Sequence, residues 1–432
     1  MDTIFSSTTN AQKSAIKIIR VSGTETKQIP QIFSFKPTKP RLASLRRLYD
    51  ADRNVIDDAI VIFFPGPSSV TGEDIIEIHI HGSFIIEKKI YDCLENRRQF
   101  RIADRGEFTK RAFLNGKIDL TQAEAINDLI NAETENQFKL SFSQYEGGLF
   151  EKLELWRSDI IFLLSKLEVM IDFSDEDLPD ETEIIFKKKL SYLLNDMRSS
   201  IKFSRYGERI RNGFVITILG KPNVGKSSLI NYLSKKKVAI VTDEAGTTRD
   251  VLEVLLDFEG FPVILNDTAG IRNTNSKVEK IGINSALKRA EKSDLILILS
   301  DNDDYYIPEL KPTIKKICIF TKSDLKKEYK VNGHRISVKN HEGIKELIQI
   351  IVGYLRSLTP KENVLLTRKR HIQGVKKAII SLKQTSTINL NKNPELAAEE
   401  LRIAATEIGN ITNIIDVEEI LDDIFSSFCI GK

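Results

Sequence analysis

Apolar positions follow two rhythms along this chain. Over residues 1–116 they come as short runs cut by turn residues. Ser14 to Val21 is the first, ending in a Ser22-Gly23 turn. Ala59-Ile60-Val61-Ile62-Phe63-Phe64 is stopped by Pro65-Gly66-Pro67, and Ile75 to Gly82 follows. Such runs predict strands. In the last, alternation places Glu77 and His79 on one face and Ile76, Ile78 and Ile80 on the other. The pattern turns helical at Ser83.

Near residue 117 the spacing becomes three and four. Leu120-Thr121-Gln122-Ala123-Glu124 reads as a capping box, Thr121 at the N-cap and Leu120 as a hydrophobic staple. Leu149, Leu153, Trp156, Ile160, Leu163 and Leu167 then mark one face of a long helix, the pattern of a bundle core. Asp172 to Glu183 is an acidic, proline-bearing connector, and helix resumes to about Arg211. Asn393-Pro394 starts a later helix with proline at its first position. Residues 212–357, between these helical regions, return to short apolar runs. The expected organisation is a β-rich α+β domain over 1–116 and a helical domain split into 117–211 and 358–432. An α/β domain over 212–357 is inserted between its halves.

One stretch carries chemistry directly. The run Phe214 to Leu219 leads into Gly220-Lys221-Pro222-Asn223-Val224-Gly225-Lys226-Ser227, and Ser228 onward reads as a helix. Strand, G-x-x-x-x-G-K-S loop and helix together predict a P-loop, whose backbone N–H groups and helix N-terminus bind phosphates. Lys226 is placed to reach the β- and γ-phosphates and Ser227 to hold Mg²⁺. Val263-Ile264-Leu265-Asn266 runs into Asp267-Thr268-Ala269-Gly270, a carboxylate at a strand end and a glycine where backbone can meet a γ-phosphate. Gly246-Thr247-Thr248-Arg249-Asp250 supplies hydroxyls between them. Cys318-Ile319-Phe320 leads into Thr321-Lys322-Ser323-Asp324, where a carboxylate can accept the N–H edge of guanine. These motifs stand in GTPase order. The usual guanine motif begins with Asn, and here it is Thr321.

Composition narrows the setting. A length of 432 residues predicts several domains. A net charge of +3 is too small to announce nucleic acid by itself. Three cysteines far apart in sequence argue against a disulfide framework and for a reducing, cytoplasmic setting. No apolar run approaches a membrane span, so no stable membrane association is expected. His79 and His81 lack a third ligand nearby, which makes a metal site weak there.

The chain closely resembles one family, MnmE (also called TrmE), the tRNA-uridine modification GTPases. The resemblance rests on Phe64-Pro65-Gly66-Pro67 with Thr71-Gly72-Glu73-Asp74, and on Gly106-Glu107-Phe108 with Arg111-Ala112-Phe113-Leu114-Asn115. It continues through Asp119 to Ala125, the P-loop with Asn223, Gly246 to Asp250 and the terminal Cys429-Ile430-Gly431-Lys432. It implies an N-terminal tetrahydrofolate-binding domain that forms a homodimer, a discontinuous helical bundle and an inserted Ras-like GTPase domain. It further implies an MnmG-like, FAD-carrying partner in a heterotetramer, and tRNA as substrate. Position 5 of the wobble uridine would receive a carboxymethylaminomethyl or aminomethyl group, using 5-formyl- or 5,10-methylene-tetrahydrofolate.

Carried over motif by motif, the resemblance implies GTP at Asn223, Val224, Gly225, Lys226, Ser227 and Ser228. It adds Thr242, Asp243, Glu244, Ala245, Gly246, Thr247 and Thr248, then Asp267, Thr268, Ala269 and Gly270. Thr321, Lys322, Ser323 and Asp324 with Ser337, Val338 and Lys339 complete that set. Mg²⁺ falls to Ser227 and Thr248, and K⁺ to Asn223, Thr242, Glu244 and Thr247. Folate falls to Arg20, Glu77, Lys117 and Lys432. Catalytic roles fall to Lys226, to Glu279 as water-orienting residue, and to Cys429. Ile271 follows the Asp-Thr-Ala-Gly motif and cannot orient a water, so K⁺ stimulation and pairing of GTPase domains are expected to replace an arginine finger. Two segments depart from the family pattern: Thr8 to Ser14, usually glycine-rich, and Ile80-His81-Gly82-Ser83, usually Gly-His-Gly-Gly. Two other classes compete: a ribosome-assembly switch GTPase without modification chemistry, and a dynamin-like membrane GTPase.

Overall fold

A computed structural model of the chain describes residues 2–9, 13–172, 180–235, 253–267, 290–303, 314–325, 333–360, 364–412, 424–425, 428 and 431. At 180–182, 235, 253 and 267 only the backbone is described. The chain forms two compact units. The first comprises Met1–Asn127, Tyr145–Glu154 and Ile408–Lys432, and the second Asp128–Gln144 and Leu155–Glu407.

The first unit is built on a mixed sheet. Its strands are β1 (Thr3–Ser7), β2 (Ser14–Ser22), β3 (Ser44–Tyr49), β4 (Val55–Phe64), β5 (Ile75–Gly82) and β6 (Phe100–Ile102), in the order β3-β4-β5-β2-β1-β6. All neighbours are antiparallel except β1 and β6. Alternation does what the sequence dictates: Ile76, Ile78 and Ile80 are buried, and Glu77 and His79 take the other face. Phe5, Ile19, Val21 and Val61 join them in a core closed by Ile29 of α1 (Ile29–Ile32) and by Ile90 and Leu94 of α2 (Phe84–Glu95).

Helix α3 (Glu107–Leu114) starts at Gly106, whose φ of 67° is left-handed. A Cβ there would stand 2.7 Å from the Phe425 carbonyl oxygen, so only glycine lets the C-terminal segment approach. Phe425 and Phe428 pack with Leu120 and Ala123. Helix α4 (Leu120–Ile130) is capped two residues earlier than its sequence suggests. Asp119 Oδ1 accepts from the Thr121 and Gln122 N–H groups, and Gln122 Oε1 accepts from the Asp119 N–H. The box is therefore Asp119-x-x-Gln122. Asp outbids Thr because its carboxylate also meets the positive end of the helix. Leu120 is then a helical core residue and not an outside staple.

α3 also carries a buried cation. Arg111 is 4% exposed and pairs with Asp2, Glu73 and Glu107. Arg101 also grips Glu107. Burial pushes the Glu107 carboxyl up, but hydrogen bonds from Arg101, the Asp104 N–H and Arg111 outweigh it and hold Glu107 below its ordinary range.

The second unit contains a six-stranded sheet flanked by helices. Its strands are β7 (Phe214–Gly220), β8 (Glu253–Phe258), β9 (Phe261–Asp267), β10 (Leu295–Ser300), β11 (Lys315–Phe320) and β12 (His334–Arg335), in the order β12-β11-β10-β7-β9-β8. Only β8 runs antiparallel, to β9. Every residue of β10 is buried, the continuous apolar run expected of a central parallel strand. Its helices include α8 (Lys226–Lys235) and α9 (Ile344–Ser357), whose Ile344, Leu347, Ile351 and Leu355 join the core.

The helical portion is formed by α5 (Glu135–Tyr145), α6 (Gly148–Asp172), α7 (Asp180–Asn212), α10 (Lys369–Thr385) and α11 (Pro394–Thr412). Trp156 is buried and donates its indole N–H to Asp196 at 2.7 Å. α7 begins at Asp180, so Asp180-Glu181-Thr182 belong to a helix and not to the connector. Acidic residues suit a helix's first turn. Residues 173–179 of that connector lie outside the described residues. Among the described residues, no helix is long and apolar enough to cross a membrane. No three His, Cys, Asp or Glu side chains among the described residues cluster to hold a metal. His79 turns to Glu77 (3.3 Å) and His81 to Asp57 (2.8 Å).

Candidate functional sites

The P-loop connects β7 to α8. β7 lies between β10 and β9, so the loop leaves the carboxyl end of a central parallel strand, where open α/β sheets bind ligands. Gly220 abuts β10 so closely that a Cβ would sit 2.5 Å from the Leu299 carbonyl oxygen. Asn223 takes a left-handed φ of 60°, which Asn tolerates, and Gly225 follows at 100°. The turn brings α8 in at Lys226, with Ser227 and Ser228 exposed at its N-terminus. The Lys226 ammonium bridges the loop, donating to the Gly220 and Lys221 carbonyls at 2.8 Å each. The loop thus has the N-terminus of α8, no Cβ at Gly225 and a cation held across it, a donor set that fits a polyphosphate.

The base-recognition stretch leaves β11 beside it. Thr321 is 2% exposed and donates its hydroxyl proton to the Val224 carbonyl of the P-loop at 2.6 Å, with the Ser300 carbonyl at 3.3 Å. Lys322, at φ 56°, pairs with Asp301 at 2.9 Å. Asp324 accepts from Ser337 Oγ at 2.8 Å, and Ser323 N–H donates to the Ile336 carbonyl. Val338 is half-buried and packs against the sheet core, and Lys339 is exposed. The two segments named for guanine, residues 321–324 and 337–339, are therefore brought together. Thr242 to Thr248, Thr268 to Gly270, Ile271 and Glu279 lie outside the described residues, and Asp267 is described only as the backbone end of β9.

In the first unit Arg20 and Glu77 are direct register partners across β2 and β5. The guanidinium donates through Nε (3.1 Å) and Nη2 (2.8 Å) to one carboxylate oxygen, and the other oxygen faces His79 Nε2 at 3.3 Å. The guanidinium lies over the Phe108 ring, 5.7 Å from its centroid. Both partners are half-buried, so the pair is partly desolvated. Lys117 is exposed just beyond α3, its stem against Gly72, and Asn115 ties that loop through the Thr71 carbonyl at 2.7 Å. A carboxylate beside an aromatic ring, with cations at hand, suits a heterocycle bearing N–H donors and an anionic tail. Cys429 and Lys432 lie outside the described residues.

A model of the MnmE helical domain matches residues 120–429, and one of the N-terminus of the GTP-binding protein TrmE matches residues 3–117. A tRNA modification GTPase MnmE from Rickettsia bellii is 40% identical over 448 residues, covering 100% of both chains. One from Bradyrhizobium sp. is 40% identical over 443 residues, covering 100% of this chain and 99% of its own. The chain belongs to the MnmE family. Among solved structures, the G domain of the T. maritima FeoB iron transporter is 27% identical over 33% of this chain and 98% of that one, with a TM-score of 0.23.

Family membership accounts for the fold class: a TrmE-type N-terminal domain, a helical region and an inserted P-loop domain within one chain. Asp301 went unnoticed in the sequence, and Ser337, His79 and Phe108 were named there without the contacts they make. Ser337 was assigned to the base loop, but its grip on Asp324 shows only in three dimensions. Asp301, His79 and Phe108 touch Lys322, Glu77 and Arg20 from distant sequence positions. For His79 and Phe108 there was a usable signal. His79 shares a strand face with Glu77, and Phe108 stands in the Gly106-Glu107-Phe108 motif.

Proposed function

We propose that this chain is a GTP-hydrolysing tRNA modification protein. The observation that carries the reading is a P-loop joined to an Asp324-bearing base loop, in a chain 40% identical over its whole length to tRNA modification GTPases. In this reading residues 212–357 are the GTPase domain, inserted between 117–211 and 358–432 of a helical domain. Residues 1–116 bind folate and form a homodimer.

Asn223 to Ser228 present amides and the Lys226 ammonium to the phosphates. Asp324 accepts the base's N–H edge while Ser337 fixes its carboxylate. Ser227 with Thr248 is assigned to Mg²⁺, and Asn223 with Thr242, Glu244 and Thr247 to K⁺. When bound, these cations supply positive charge to the phosphate oxygens. Glu279 orients the attacking water. The exposed placement of Ser227 and Asn223 on the loop supports the two cation assignments. Arg20, Glu77, Lys117 and Lys432 are assigned to a tetrahydrofolate that carries the one-carbon unit, and Cys429 to the modification step. An FAD-bearing partner completes the reaction at position 5 of the wobble uridine.

Binding and turnover test the nucleotide half. Purified protein with Mg²⁺ is expected to bind GTP well above ATP and to release phosphate from GTP. Lys226→Ala is expected to lose both. Equal use of ATP, or turnover unaffected by Lys226→Ala, would overturn it.

A further inference from the structure

We infer that Thr321 splits two tasks that an asparagine performs together: it holds the base loop to the P-loop but gives no hydrogen bond to the base. This rests on the GTP-binding reading above and deepens it. A carboxamide brings two N–H donors and one acceptor, so it can tether a loop with one proton and reach a base with the other. A threonine hydroxyl brings one proton. Here that proton goes to the Val224 carbonyl at 2.6 Å, and a second protein carbonyl, Ser300, stands at 3.3 Å. Thr321 is 2% exposed, and its own N–H is held by the Ser300 carbonyl at 2.8 Å. A buried hydroxyl with its donor committed to a carbonyl does not turn to a ligand acceptor without leaving that carbonyl unsatisfied.

The consequence falls on the guanine edge that accepts hydrogen bonds. Asp324 reads the opposite edge, since a carboxylate only accepts and therefore faces N–H donors. Ser337 takes one of its acceptor sites, which orients it without exhausting it. Guanine's N7 is an acceptor and needs a donor. With Thr321 committed to Val224, the site recognises guanine through Asp324 and is indifferent to N7. Thr321 is thus a specificity-determining residue by what it withholds. Its tether has a second effect. Val224 directly precedes Gly225 and Lys226, and a Cβ on Gly225 would lie 3.9 Å from Thr321 Cβ, so the hydroxyl braces the phosphate loop itself.

The test uses the full chain with Mg²⁺ and displacement of a ribose-labelled fluorescent GTP by GTP, 7-deaza-GTP and ATP. The unmutated protein is expected to bind GTP and 7-deaza-GTP within about twofold of each other. Thr321→Asn restores a second donor and is expected to favour GTP over 7-deaza-GTP by about three- to tenfold, the span of one ordinary hydrogen bond. Thr321→Val removes the tether at nearly constant volume and is expected to weaken both guanine nucleotides equally. Thr321→Ser keeps the hydroxyl and is expected to leave their ratio near one, which secures the test if the Val variant folds poorly. A preference of about threefold or more for GTP over 7-deaza-GTP in the unmutated protein, the size of one hydrogen bond, would overturn the inference while leaving the GTPase reading intact. Displacement by ATP as readily as by GTP would overturn that reading and the inference with it.

Discussion

Asp324→Asn is the perturbation whose outcome the geometry defines most closely. Ser337 Oγ donates to Asp324 Oδ1 at 2.8 Å. An amide can keep that bond only with its oxygen at the Oδ1 position, which sets its NH₂ group where Oδ2 stood, toward the base. Guanine then meets a donor with its own exocyclic donor and loses one charge-assisted bond. Such a bond is worth about 1.5–3 kcal/mol, about 10- to 150-fold in Kd. Xanthine carries an oxygen where guanine carries that amino group, so the amide donates to it. The gain is one neutral hydrogen bond, about three- to tenfold. Competition of GTP and xanthosine triphosphate against a fluorescent guanine nucleotide reads both changes. The variant is expected to prefer xanthosine triphosphate. Unchanged GTP affinity, or a loss with no gain for xanthosine triphosphate, would remove Asp324 from the base edge or Ser337 from its orientation.

Other outcomes follow from the same structure. The Glu107 carboxyl is held below its ordinary range by Arg101 and Arg111. Its stabilisation is therefore complete above the unfolded pKa of about 4.3 and lost as pH falls through the folded value, and Glu107→Gln should shrink the drop in Tm between pH 6 and pH 3. A drop of equal size in the variant would mean that Glu107 does not carry it. A reduced folate should raise the Tm of the protein by ligand linkage, and Glu77→Ala should abolish the rise. A variant that keeps it would release Glu77 from the folate site. Phosphate release should be much faster in KCl than in NaCl at equal ionic strength, and Asn223→Ala should erase the difference. Equal rates in the two salts for the unmutated protein would rule out the potassium assignment.

Much of the fold was legible because burial writes a period into sequence. The strand face carrying Ile76, Ile78 and Ile80 and the helix stripe from Leu149 to Leu167 were both readable that way. The P-loop was legible for a different reason: its glycines, lysine and serine are fixed by local backbone geometry. β1, β3, β6, β8 and β12 were missed. Glu253-Val254-Leu255-Leu256-Asp257-Phe258 mixes carboxylates into its run, and two residues are too few to show a period. The helix start at Asp119 was displaced because two adjacent boxes compete within residues 119–124, and only hydrogen bonds decide between them. Only part of the Arg111 cluster was visible: Glu107 stands four residues before Arg111 on α3, but Asp2 and Glu73 come from separate segments. Thr321 looked like a partial loss of the guanine motif. Its bond to Val224 reveals a tether between segments almost a hundred residues apart, a relation that no local pattern encodes.

The central claim is that GTP chemistry in this chain serves modification of the wobble uridine. Nucleosides from the tRNA of a strain lacking this protein, read by mass spectrometry, test it most directly. Loss of the carboxymethylaminomethyl- or aminomethyl-type group at position 5, restored by the unmutated gene and not by Lys226→Ala, is the predicted result. An unchanged set of wobble nucleosides in that strain would contradict the account.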